Sequence, residues 1–102
     1  MNDEYVNYIV GVLDELKEQF KKKNAQYGED RDPLIIFRTG AQMNGTPPNY
    51  ERMFEEAFAY ERKHLAHVKV HGIHGDKVEE SLKDIIIYSA IQLYMCKKAK
   101  ER

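Results

Sequence analysis

Three carboxylates stand where carboxylates are unusual. Glu61 comes four residues after Ala57, three after Phe58 and four before Leu65, so on a helix it falls inside an apolar stripe and points inward. A buried carboxylate is costly unless a cation, a metal or several donors satisfy it. An internal salt bridge and a working site are therefore equally open readings of Glu61. Glu80 and Asp84 lie four apart on one helical face, ahead of Ile87, Tyr88 and Ile91 on that face. Oxygen-only ligands at this spacing suit Mg²⁺ or Mn²⁺, hard cations whose shells are commonly completed by water and substrate phosphates. Glu80 is also explained by the preference for acids near a helix start, and Glu79 is assigned to that preference alone.

The four histidines, His64, His67, His71 and His74, cluster without a cysteine at zinc-type spacing. His64 differs from the others because it follows Glu61 by three residues and shares its site. A satisfied structural histidine and a substrate contact are both open for it. No glycine-rich phosphate loop ending in Lys and Ser or Thr is present, and no Gly-x-Ser-x-Gly elbow.

These residues need helices to position them, and the pattern predicts four. Tyr5, Ile9, Leu13, Leu16 and Phe20 mark an amphipathic helix from Asn2 to about Lys23, with Lys21, Lys22 and Lys23 complementing its C-terminal dipole. Asp32-Pro33 reads as an N-cap and first-turn proline opening a short helix through Phe37 and Ala41, stopped by Asn44-Gly45. Asn49, after the rigid Pro47-Pro48 pair, caps a third helix whose apolar face includes Met53, Phe54, Ala57, Phe58, Leu65 and Val68 and which ends at His71-Gly72. Asp76 with Glu79 resembles a capping box for a last helix reaching about Lys100. Its centre, Ile85 to Met95, is apolar nearly all round and has to be covered on several sides, by the rest of the bundle and by a second subunit. The expected fold is thus an all-α four-helix bundle in one domain, 1–102, completed by oligomerisation.

A formal charge of −1, from 16 basic and 17 acidic residues, supplies no global field for a nucleic-acid backbone. The lone Cys96 fits a reducing compartment, and the first ten residues lack the pattern of a secretion signal, so a cytoplasmic protein with no membrane partner is expected.

Read in order, Lys23-Asn24-Ala25-Gln26-Tyr27-Gly28, Asp32-Pro33-Leu34-Ile35-Ile36-Phe37-Arg38, Lys63-His64, and Glu80-Ser81-Leu82-Lys83-Asp84 followed by Ile85-Ile86-Ile87-Tyr88 resemble the landmarks of the nucleotide modification associated domain 1 family. That family, found largely in phages and bacteria, is similar to the MazG-like all-α nucleotide pyrophosphohydrolases. The resemblance implies a MazG-like helical bundle assembled as a dimer or tetramer, acting in the host cytoplasm if phage-encoded. Its carboxylates would hold Mg²⁺ against a nucleoside triphosphate while water attacks to release pyrophosphate. Carried over by position, Glu61, Glu80 and Asp84 are the metal and catalytic carboxylates. Asn24 and Tyr27 lie near base or sugar, and Lys63 and His64 near phosphates. Arg38, a candidate for nucleotide capture, and Tyr88 are further candidate substrate contacts. The sequence departs from the pattern in two places: Glu61 is followed at i+3 by His64, where MazG-like enzymes carry a second acid, and Gln26 replaces an Asp before Tyr27. Three acids in place of four leave open a protein that binds and sequesters a nucleotide, including a signalling nucleotide of the host, without hydrolysing it.

Overall fold

The computed structural model describes residues 2–26 and 32–101. All regular structure among them is helical: α1 Asn2–Gln26, α2 Ile35–Met43, α3 Tyr50–His71 and α4 Val78–Lys100. The chain divides into two compact units, residues 1–32 and 33–102, which are described separately. No described helix is long and apolar enough to cross a membrane.

The first unit is built on α1, which starts with Asp3 and Glu4 in its first turn and ends with Lys23 in its last, each sign matched to the helix dipole. It runs three residues past the expected end. Of the predicted apolar stripe only Leu16 is buried, while Tyr5, Ile9, Leu13 and Phe20 are exposed.

In the second unit α3 packs against both α2 and α4. Gln92 Nε2 donates to the Phe54 carbonyl at 3.1 Å near one end, and His67 Nε2 meets the Asp76 carbonyl at 2.8 Å near the other, which makes α3 and α4 antiparallel. Leu34, Phe37, Met53, Ala57 and Met95 form the core, with Tyr50, Phe54, Tyr60, Tyr88 and Ile91 packed around it. Near the C-terminus of α2, Asn44 Nδ2 reaches both carboxylate oxygens of Glu56, at 2.9 and 2.8 Å. That bidentate contact ties α2 to α3.

Local chemistry explains the ends of the helices. Asn49 caps α3 as expected, its side-chain oxygen accepting from the Arg52 amide at 2.9 Å. The chain leaves α2 through Gly45 and α3 through Gly72, both at positive φ (74° and 73°), where glycine has no Cβ penalty. Two starts differ from expectation. Asp32 does not cap α2: residues 33 and 34 turn first, and the carbonyl of buried Leu34 accepts from the Phe37 and Arg38 amides, both at 3.0 Å. The pull of Leu34 into the core sets that start. Nor does Asp76 cap α4. Lys77 occupies the cap in the left-handed region (φ 62°), and the Asp76 carbonyl is held by His67 while Val78 is buried.

α4 is less covered than its composition requires. Leu82, Ile86, Leu93 and Tyr94 are all exposed, Leu93 at 71%.

Candidate functional site

Beyond the core the α3–α4 interface turns polar. Glu61 sits on the face of α3 toward α4 at 8% exposure, the inward placement its spacing predicts. The Ser89 hydroxyl, on α4, donates to Glu61 Oε1 at 3.5 Å, a long and weak bond. One turn further along α3, the His64 ring lies between two groups of α4. Its Nδ1 is 3.3 Å from Ser81 Oγ, and its Nε2 is 3.6 Å from Asp84 Oδ2. His64 is largely enclosed, with its side chain 17% exposed, whereas the Asp84 carboxylate is 48% exposed and faces water on its other side.

The aromatic residues form a ladder beneath this group. His64 stacks on Tyr88 (5.9 Å between centroids, 29°), and Tyr88 stacks in turn on Tyr60 (5.4 Å, 26°). Phe37 meets Tyr60 and Tyr88 edge-on at 5.5 and 6.3 Å. Such offset and edge contacts match the ring quadrupoles and fix each ring against its neighbours. Burial raises the Tyr88 phenol above its ordinary pKa of 10.0, and the Asp84 charge and Tyr60 raise it further. The ladder therefore joins the apolar core to the polar site through stacked rings.

Ser81, His64 and Asp84 have the residue types of an acyl-transfer triad but not its arrangement. Ser81 is buried inside α4, and its amide is bonded to the Lys77 carbonyl at 3.1 Å, so it cannot stabilise an oxyanion. The chain of contacts instead fixes the imidazole in place.

Glu61, His64, Asp84 and Tyr88 lie along one stretch of the α3–α4 pair. Glu80, one turn before Asp84, is exposed, and so is Lys63. Arg38 is half-buried on α2 and donates to the Pro48 carbonyl at 3.0 Å, bracing the connector into α3. Asn24 is exposed in the last turn of α1, in the other unit, and Tyr27 lies outside the described residues. Tyr88 stacks with both Tyr60 and His64.

Ser81, Ser89 and Tyr60 are members of this neighbourhood that sequence reasoning did not single out. Ser81 shared a helical face with Asp84 and Tyr88, three and seven residues away, and that spacing was its available signal.

Carboxylate oxygens suit Mg²⁺, but among the described residues no three His, Cys, Asp or Glu side chains are placed to hold a metal ion. Glu61, Glu80 and Asp84 thus do not close a cage by themselves. A magnesium ion needs fewer protein ligands than that, since water and phosphate oxygens usually complete its shell.

Fold and site together define an all-α protein with a polar stretch in the interface of an antiparallel helix pair. Comparison with protein-family models, with curated proteins and with solved structures finds no match.

Proposed function

We propose that this chain is a MazG-like nucleotide-handling protein, assembled as a homo-oligomer, that hydrolyses a nucleoside triphosphate at the α3–α4 site. The observation that carries this reading is the buried Glu61 carboxylate on α3, met by a long, weak hydroxyl bond from Ser89, close to the half-exposed Asp84 on α4. A carboxylate so placed is poorly compensated by its neighbours and is suited to receive a cation. Asp84 opens the site to solvent, and Glu80 lies one turn further out on the same face. His64, held by Ser81 and Asp84, presents an imidazole to the phosphates, and the exposed Lys63, next in sequence, adds a positive charge. Mg²⁺ or Mn²⁺, held by Glu61 and Asp84, would neutralise phosphate charge.

A second reading is favoured by one specific observation. Among the described residues no three acids are grouped to hold a metal ion, while the His64 ring and the exposed Lys63 offer donors to an anionic nucleotide, an arrangement that suits capture without turnover.

The two readings separate in one experiment. Purified protein is incubated with canonical and cyclic nucleotides, with and without Mg²⁺ or Mn²⁺, and the mixture is chromatographed before and after heat denaturation. Hydrolysis predicts a triphosphate replaced by monophosphate and pyrophosphate, abolished in Glu61→Gln and Asp84→Asn. Sequestration predicts an intact nucleotide that disappears and returns on denaturation. A panel unchanged under every condition would sink both.

A further inference from the structure

One face of α4 carries a pattern that its packing against α3 does not account for, although Ser89, in the middle of that face, also donates to Glu61. Leu82, Ile86, Ser89, Leu93 and Cys96 follow one another at spacings of four, three, four and three, and all are exposed. A strict alternation of this kind is a heptad seam, narrower than the apolar stripe of a helix that packs against a globular core. The aliphatic members are large and bare: Leu82 is 45% exposed, Ile86 40% and Leu93 71%. Charge is polarised along the same helix, with Glu79 and Glu80 in the first turn and Lys97, Lys98 and Lys100 in the last.

That polarity decides what fits. Two such helices side by side in parallel would set acid against acid and lysine against lysine, whereas an antiparallel pair sets each acidic end against a basic one. The helix dipoles oppose favourably in the same arrangement. We propose that a second copy of this chain docks on this face, α4 against α4 in antiparallel register, with Leu82 on the partner's Leu93 and Ile86 beside the partner's Ser89. One two-fold axis generates both pairs, as an isologous interface requires, and brings the Glu79 end near the partner's Lys97. The small Ser89 at the centre lets the backbones approach around Ile86. This inference rests on the homo-oligomer part of the reading above, and its test reads assembly and not nucleotide turnover.

The test is a mixing experiment on the full chain in a Cys96→Ala background. Leu82→Cys and Leu93→Cys proteins are prepared separately, mixed under mild oxidation and analysed on non-reducing gels, with circular dichroism to verify helix content. The antiparallel seam predicts a disulfide-linked dimer in the mixture and little in either protein alone, since the bond needs Cα atoms within about 7 Å. Efficient crosslinking of either protein alone would mean a parallel seam and overturn the proposal. So would a dimer that crosslinks in neither case, or a monomer by light scattering at every concentration. A charge exchange gives a second readout without cysteines. Glu79→Lys and Lys97→Glu should each raise the dimer dissociation constant by up to about fivefold, as exposed ion pairs allow, and the double variant should restore it. Failure of the double variant to recover would refute the register.

Discussion

At one end of the α3–α4 pair Met53, Ala57 and Met95 close against Phe37 with no polar atom among their side chains; at the other, Glu61, His64, Ser81 and Asp84 occupy the same interface with long, weak polar contacts. The backbones are continuous and the helices equally regular through both regions. What differs is how the interface is filled. The first region gains free energy from close packing, and each of its methionines is worth several kilocalories. The second forgoes that gain and keeps a buried carboxylate with little compensation. A helix pair that could have been apolar throughout thus gives up stability over roughly two turns, the usual signature of a region kept for binding or chemistry.

The sharpest way to break the comparison is in the packed half. Met95→Ala, which empties a fully buried site, should lower unfolding free energy by about 2–5 kcal/mol, read from urea denaturation. A loss under about 1 kcal/mol would mean that the two regions do not differ as described. In the polar half Glu61→Gln should have the opposite profile: unfolding free energy changed by less than about 1 kcal/mol and, under the proposed hydrolysis, turnover reduced by about a hundredfold or more. Asn49→Ala lies outside both regions and serves as a calibration. Loss of its bond to the Arg52 amide should cost about 1 kcal/mol and leave ligand binding unchanged.

The smallest effect concerns the ladder between the two regions. Tyr88 is raised above 10.0 by burial first, then by Asp84 and Tyr60, so the folded state holds its proton more tightly than the unfolded one. Its contribution is fully present below the unfolded value and is lost as pH rises through the folded value. Stability should therefore fall with alkaline pH, less steeply in Tyr88→Phe and, to a lesser degree, in Asp84→Asn. Identical alkaline slopes in all three proteins would remove Tyr88 as the responsible group.

Much of the scaffold was legible in the sequence because helix signals are local. Asn49 and Gly72 mark the ends of α3 by side-chain capping and positive φ, and the apolar periodicity of α3 and α4 depends only on spacing. The starts of α2 and α4 were misread for a tertiary reason: burial of Leu34 and capture of the Asp76 carbonyl by His67 outweigh the local capping preference. The same limit governs the site. The inward turn of Glu61 followed from its neighbours in sequence, but the stripe that places it also places Leu65, which is exposed because the contact line on α3 runs through Ala57, Glu61 and His64. Which residue of α4 meets His64 depends on the register of the pair, and spacing within one helix carries no information about that.

The stacked rings have an optical consequence. The chain contains seven tyrosines and no tryptophan, so its near-ultraviolet emission comes from phenol rings alone. Two of those rings, Tyr60 and Tyr88, lie in van der Waals stacking with each other, and the second also touches the imidazole of His64. Any event that moves that imidazole alters the surroundings of Tyr88 directly, so the protein carries an intrinsic fluorescent reporter beside His64, readable without attaching a dye.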